Sequence, residues 1–456
     1  MSLIFVHVSD IHFGQEKDDR LHIHNDVKQQ LVLDAKDVIS KIEGGVPHGI
    51  LVTGDIAQSG QRAEYEVAAK WLDELAANIG VEINCVQMVP GNHDLDWTKL
   101  SFSGEKVLEH IRTGGVERFE EILKKPADRA ALFERFEDYD RFSFGYNCPL
   151  NTEGWYASSM QVNIAPGRAI RFIRLNSSLL CHGKERDEHP ELILGARQFT
   201  IPRTNGVENV VLIHHPLNWF KDQDEVRNYI RSRARVFISG HEHNPKVTLD
   251  NVEQGCDVMM LSAGATVSYR SNDEFTFTYN IIEFDWDREI DGLSVTVHPR
   301  AWNWRRTQFE GDEKPLGGKG ANFRLACPSF RKVATPCITG TTEPVELAAG
   351  LADACESEAN IDAASEELFD EGLNYMPSHV EGYGITCLRF FRDLLEGERL
   401  RILIELDALP EGFNERMTQG LERKLLDKLA RNGKVGDVGD LINKMIGERK
   451  EEASDE

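Results

Sequence analysis

Five short polar clusters constrain this chain more than any other feature, because each follows closely on a run of four or five β-branched or aliphatic residues. The runs are Ile4 to Val8, Ile50 to Thr53, Cys85 to Val89, Val210 to Ile213 and Val236 to Ser239. Their length and their Val and Ile content predict buried strands. The clusters are Asp10-Ile11-His12, Gly54-Asp55, Gly91-Asn92-His93-Asp94, His214-His215-Pro216 and Gly240-His241-Glu242-His243. Helical spacing fills the intervals, as in Val27 to Ile42 and Glu64 to Ala77. Strand and helix therefore alternate, which predicts an α/β domain. In such domains ligands collect at the carboxyl ends of the strands, so five separate loops can meet there.

The residue types in those loops are metal ligands. Asp10 and His12 lie two apart, so on an extended backbone both side chains point the same way, and His241 and His243 repeat the spacing. A set of oxygen and nitrogen donors without cysteine suits Mn, Fe or Zn, with Mn favoured here. The donors exceed the needs of one ion, so two divalent ions bridged by Asp55 are expected. Two such ions, less the charges of Asp10, Asp55 and a bridging hydroxide, leave one net positive charge to attract a phosphate ester. Asn92 would coordinate without adding the negative charge that repels such a substrate.

Composition narrows the alternatives. With 52 basic against 76 acidic residues the formal net charge is -24, which opposes broad nucleic-acid coating through phosphate neutralisation. No stretch approaches 18 apolar residues and the first residues lack a basic, apolar leader pattern, so no membrane association and a cytoplasmic location are expected. Eight cysteines without a C-x-x-C pair argue against a thiolate zinc site and a disulfide framework.

Residues 97–150 interrupt the alternation with amphipathic patterns and predict a helical insertion. Later strand-like runs, Val258 to Leu261, Phe275 to Phe284 and Leu293 to Val297, are expected to complete a sheet, so the first domain is set at 1–310. Glycine and proline beyond it predict a linker or extended arm over 311–365. Residues 366–447 are read as a small all-α domain, since Phe413, Met417, Leu421, Leu425 and Leu429 step by four and Val438, Leu441, Ile442 and Met445 form a second face. A charged tail, 448–456, is expected to be disordered. From residue 341 onward 27 acidic residues stand against 13 basic ones, so this quarter holds more than half of the net charge. A domain of that size and charge is expected to contact a protein partner or a second copy.

The five clusters, in this order, closely resemble the calcineurin-like metallophosphoesterase family over about residues 1–300: D-x-H, G-D, G-N-H-D, H and G-H-x-H. Each fragment alone is weak; the ordered set is highly specific. The resemblance implies a two-sheet β-sandwich flanked by helices rather than one open sheet. It places Asp10, His12 and His243 on a first metal and Asn92, His214 and His241 on a second, with Asp55 shared. His93 would be catalytic and Asp94 would orient it, while a metal-bridging hydroxide attacks phosphorus in line. The expected activity is hydrolysis of phosphodiester bonds, of nucleotides first.

T-G-D-I with Gly60, Glu64 and Tyr65, and the H-H-P element, resemble class III cyclic-nucleotide phosphodiesterases, although Asp96 stands where those often carry Arg. The insertion and the extra domain suit the alternative, a nuclease subunit of a multi-protein system similar to the double-strand-break repair nucleases. A non-catalytic scaffold fits poorly with an intact ligand set. The C-terminal helices resemble the small adaptor domains of bacterial conflict systems. His7, His22, His24, His48, His110, His182 and His189 are read as structural, and His215 as a residue behind the ligands. Asp26 and Asp96 are read as solvated surface, and Arg300, Trp302, Trp304, Arg305 and Arg306 as a packed strand end rather than a single-strand binding surface.

Overall fold

The computed structural model describes residues 2–15, 20–183, 190–250, 257–267, 276–330, 382–409, 417 and 419–452. Two sheets face one another. In the first, β1 (Ser2–Val8), β2 (Gly45–Val52) and β3 (Val86–Met88) run parallel, and β10 (Thr278–Asp287), β11 (Gly292–Asn303) and β12 (Gln308–Gly311) extend the sheet from β1 in antiparallel fashion. β13 (Asn322–Ala326) pairs with the other end of β11. The second sheet has a parallel centre of β5 (Arg168–Arg174), β6 (Val207–Leu212), β7 (Ala234–Ser239) and β9 (Val258–Ser262), with β4 (Ala157–Ala165) and β8 (Lys246–Asp250) antiparallel at its edges.

Phe5, Leu51, Phe172, Val210, Val236, Ile282 and Phe284 fill the space between the sheets. The outer faces bury Ile4, Val6 and Val8 on one side and Val211 and Ile213 on the other against the flanking helices, α1 (Arg20–Ser40) and α2 (Arg62–Ile79) among them. The first sheet's strands thus bury both faces, which is why they read as continuous apolar runs. Residues 97–150 form α3 (Phe102–Leu123), α4 (Pro126–Phe133) and α5 (Glu137–Gly145), and α6 (Ala196–Phe199) and α7 (Gln223–Arg233) flank the second sheet.

Residues 311–326 correct the sequence reading. Their glycines and prolines form the turn that carries the chain from β12 to β13, so the sheet continues to Ala326 where a linker was expected. Turn residues between two edge strands have the same composition as a linker. The rest of the expected linker from 331, and residues 366–381 of the helical domain with Phe413, lie outside the described residues.

Among the described residues four helices follow, α8 (Tyr383–Asp393), α9 (Glu396–Glu405), α10 (Gln419–Arg431) and α11 (Val435–Glu452), around a core of Phe390, Phe391, Leu403, Leu425 and Ile442. α11 runs into the stretch expected to be disordered, because Arg401 holds Glu448 and Arg449 donates to the Asp393 carbonyl; residues 453–456 lie outside the described ones. The bundle packs on the first domain: Phe391 meets Phe144 at 4.7 Å between ring centroids, Arg392 pairs with Asp73, and Arg141 donates to the Leu394 carbonyl at 3.0 Å. Leu388 is buried within the first domain's own core.

Candidate metal centre

The parallel strands of both sheets end at one rim, and all five polar clusters sit there. β1 leads to Asp10 and His12, β2 to Asp55, β3 to Asn92, β6 to His214, and β7 to His241 and His243. Five of these residues, Asp10, His12, Asp55, His241 and His243, hold positive φ between 52° and 73°. For residues with a Cβ this conformation is unfavourable by about 1 kcal/mol or more each, so the surrounding structure must impose it. The backbone does so by cross-strand clamping: Asp10 N–H donates to the Gly54 carbonyl at 3.0 Å and His12 N–H to the Asp55 carbonyl at 2.9 Å. Glycine is required at the closest approach, since a side chain at Gly91 would collide with the Asp55 carboxylate. Five of the nine positive-φ residues other than glycine among the described residues thus gather on the candidate donors of one rim.

Donor atoms converge on both sides of Asp55. On one side His214 Nε2 lies 3.4 Å from Asp55 Oδ2, 3.1 Å from Asn92 Oδ1 and 3.2 Å from His241 Nδ1. On the other, His12 Nε2 lies 3.9 Å from Asp55 Oδ2, and His243 Nε2 lies 3.1 Å from Asp10 Oδ1. Ligands bonded to one ion at about 2.1 Å are separated by roughly 3.0–3.4 Å, so all of these spacings except the longer one from His12 to Asp55 suit a divalent cation. The Nδ1–H of His214 donates to the Thr53 carbonyl at 2.7 Å, which turns the Nε2 lone pair inward towards acceptors. His12 Nδ1 is buried with no hydrogen-bond partner among the described residues. Acceptors facing acceptors are unfavourable without a positive charge between them.

The titration behaviour has the same cause. Burial alone would raise the pKa of Asp55, but the His214 imidazole outweighs it and holds the carboxyl well below its usual range. Burial likewise opposes charging Asp10, and the contact with His243 overcomes it, so its pKa is lowered too. Burial would lower His214, yet the Asp55 carboxylate raises it to about 9. His12 and His241 fall to about 4 and about 3, mainly by burial, and so stay neutral at physiological pH, as ligation requires. Two ionised carboxylates beside the neutral imidazoles of His12 and His241, with His214 and His243 held protonated by Asp55 and Asp10 and able to release that proton to a bound cation, make a donor set that fits divalent metal.

His93 sits beside this set. Its backbone N–H donates to Asp55 Oδ1 at 2.8 Å, its ring packs edge-on to His12 at 4.8 Å, and its Nδ1–H donates to the Gln58 carbonyl at 3.0 Å. One of its ring nitrogens lies within 4.8 Å of donor atoms of His12 and Asp55. Asp94, expected to orient His93, makes no side-chain hydrogen bond to it among the described residues; the Gln58 carbonyl is what meets the ring. Asp94 accepts from the backbone of Gly91, Ile56 and Ala57 and from the Tyr65 hydroxyl, so it ties the β2 and β3 loops together. A backbone carbonyl has no signature in sequence, and Gln58 could not have been found there.

His215 is fully buried, where Ser177 donates to its Nδ1 at 2.9 Å and its ring backs His241 at 4.4 Å. Trp219 meets the same His241 edge-on at 4.3 Å. Asp96 differs from its expected surface position: it is 5% exposed and caps the turn at Trp97–Lys99 by accepting from Thr98 N–H. Arg300 pairs twice with Asp34, and Trp302 is buried against Phe309. Asp26 is exposed and His7 is buried on Thr53, while His189 lies outside the described residues.

Comparison with known proteins decides the family. Residues 3–245, more than half of the chain, match the calcineurin-like phosphoesterase family. The chain belongs to that family. Residues 382–444, which hold α8 to α10 and most of α11, match the GTPase-associated adaptor domain. A curated relative, the uncharacterized metallophosphoesterase-like protein YydB of Bacillus subtilis (strain 168), is 22% identical over 318 residues, which cover 66% of this chain. The match spans 60% of that protein's length. Among solved structures, a Vps29 single mutant from Entamoeba histolytica aligns with 71% of this chain and 99% of its own at 11% identity and a TM-score of 0.31. A putative 5'-nucleotidase from Staphylococcus aureus, in complex with alpha-ketoglutarate, aligns with 70% of this chain and 57% of its own, at 13% identity and a TM-score of 0.32. Scores of this size carry no weight for substrate. Among the described residues no helix is long and apolar enough to cross a membrane.

Proposed function

We propose that this phosphoesterase hydrolyses phosphodiester bonds of nucleotides at a two-metal centre. Asp10, His12 and His243 would hold one ion, Asn92, His214 and His241 the other, and Asp55 both. The observation that carries this reading is the position of Asp55 Oδ2, 3.4 Å from His214 Nε2 and 3.9 Å from His12 Nε2, with Asp55 shared by two separate groups of donors that contain these histidines. When bound, a pair of divalent ions supplies Lewis acidity and lowers the pKa of water to make a nucleophile near neutral pH. The chain's residues do the rest. Asn92 keeps the net charge of the site favourable to a phosphate ester, and the Asp55 oxygen that accepts from His93 N–H fixes the imidazole at the rim. With Nδ1–H given to the Gln58 carbonyl, His93 Nε2 would carry a proton only in the imidazolium form, and in that form it would donate it to the departing oxygen.

The test is a hydrolysis panel of cyclic nucleotides, linear single- and double-stranded DNA, RNA and bis-p-nitrophenyl phosphate, each with Mn. Turnover of cyclic nucleotides or the model diester well above that of polymers is expected. Cleavage confined to DNA or RNA would favour a nuclease subunit, the reading that the insertion and the docked bundle support. No turnover of any diester would overturn both.

The adaptor-like bundle is proposed to recruit a protein partner from a GTPase-associated assembly. Ile385, Leu395 and Ile404 are exposed on it, at 55%, 45% and 58%. Replacing Ile385 and Ile404 with Glu should leave hydrolysis of a small diester unchanged, because neither touches the first domain's core, while weakening a complex followed by pull-down with such a GTPase. Unimpaired pull-down would remove these residues from consideration.

A further inference from the structure

We infer that a small monovalent anion of about halide size binds in a cavity behind the metal-site loop, held by Arg174 and Asn176. Arg174 ends β5 and is 5% exposed, and its Nε and Nη1 are buried without an acceptor among the described residues. Other buried arginines have a carboxylate or carbonyls against at least part of the guanidinium: Arg399 pairs with Glu422, Arg235 with Glu208, and Arg135 donates through Nη1 and Nη2 to the Cys181 and Leu179 carbonyls. A guanidinium stays charged at any physiological pH, and a buried charge without a counter-charge is strongly unfavourable. Something negative is required beside Arg174.

The cavity supplies the place. Arg174 and Asn176 line it with Met88, Pro90, Phe133 and Trp155. Asn176 Nδ2 also lacks a partner, so three donors are left unsatisfied around one space. An anion accepts from all three, whereas a water there must also donate and leaves the charge uncompensated. The Tyr139 hydroxyl, likewise without a partner, is close enough for the Arg174 charge to act on it. With a volume of about 20 Å³ the cavity holds one water-sized or slightly larger particle, which excludes a nucleotide or a phosphate ester.

Its position gives the site a consequence. Met88 and Pro90 form a wall of the cavity and run directly into Gly91-Asn92-His93-Asp94, and Ser178 braces the same segment by donating to the Pro90 carbonyl at 3.2 Å. An anion neutralising Arg174 would hold the wall from which the Asn92 and His93 loop springs. None of the proposed metal ligands lines this cavity, so the inference stands whichever diester is the substrate.

The experiment uses the full chain in two measurements. Crystals grown or soaked in bromide should show one anomalous peak in hydrogen-bond contact with Arg174 and Asn176. Thermal unfolding at fixed ionic strength, with chloride replaced by the much larger gluconate, should show Tm rising with chloride by roughly 2 °C per tenfold increase above half-saturation. Arg174→Met should abolish that chloride dependence. If Arg174→Met does not fold, Asn176→Ala must weaken the dependence in its place. Ordered water in the cavity with no anomalous peak, or a chloride dependence that Arg174→Met or Asn176→Ala leaves unchanged, overturns the inference.

Discussion

Asp55→Asn is expected to lower bound metal from two ions per chain to one or none and to cut diester hydrolysis on the order of 10³-fold or more. The substitution is nearly isosteric, and the amide oxygen can still accept the His93 N–H that Oδ1 takes at 2.8 Å. The loop should therefore keep its course. What disappears is the negative charge that lies between His214 and His12, and with it the only donor of the proposed set placed to serve both ions. Lewis-acid stabilisation is worth several kcal/mol of transition-state energy, and about 4 kcal/mol corresponds to a thousandfold in rate. Metal analysis after reconstitution with Mn, beside unfolding of the same sample, separates loss of ligation from loss of fold. Two ions retained at undiminished affinity would remove Asp55 from the bridge.

Much of this centre is legible in the sequence because strand ends announce themselves: a run such as Val236 to Ser239 followed by Gly240-His241-Glu242-His243 fixes both the strand and the direction of its loop. The expected runs fall on β1, β2, β3, β6 and β7 with small shifts at their ends. Less visible is whatever depends on two distant segments at once. The hairpin of β4 and β5 lies on one edge of the second sheet, where Asn163, Arg168 and Arg171 dilute the apolar pattern. The positive φ of Asp10 and Asp55 is imposed by clamping between β1 and β2; spacing along either strand does not disclose it. Asp10 and His12 bring donor atoms into one group, yet not as extended-strand neighbours, since both have left the extended conformation. Asp94 shows the limit most clearly. Its neighbour in sequence is His93, but its hydrogen bonds go to backbone groups of residues 56, 57 and 91.

That distinction sets apart the two halves of the His93-Asp94 pair in experiment. His93→Ala is expected to keep both metals and the wild-type fold while turnover falls by roughly 10²- to 10⁴-fold, the range for losing one acid-base group. Alanine preserves the backbone N–H that anchors Asp55, and the ring's other tie is to the backbone carbonyl of Gln58. Added imidazole should restore part of the rate, since the missing group acts by proton donation from a position open to the substrate. Asp94→Ala should behave otherwise. Burial and the nearby Asp55 raise the Asp94 pKa to about 6, yet its oxygens satisfy three backbone N–H groups, and removing them leaves buried donors unpaired at about 1–3 kcal/mol each. That variant should lose stability and metal together, with no rescue by imidazole. If His93→Ala instead released metal and retained the turnover of whatever fraction stayed loaded, His93 would be a ligand, and the proton would have to reach the leaving oxygen from another residue of the rim.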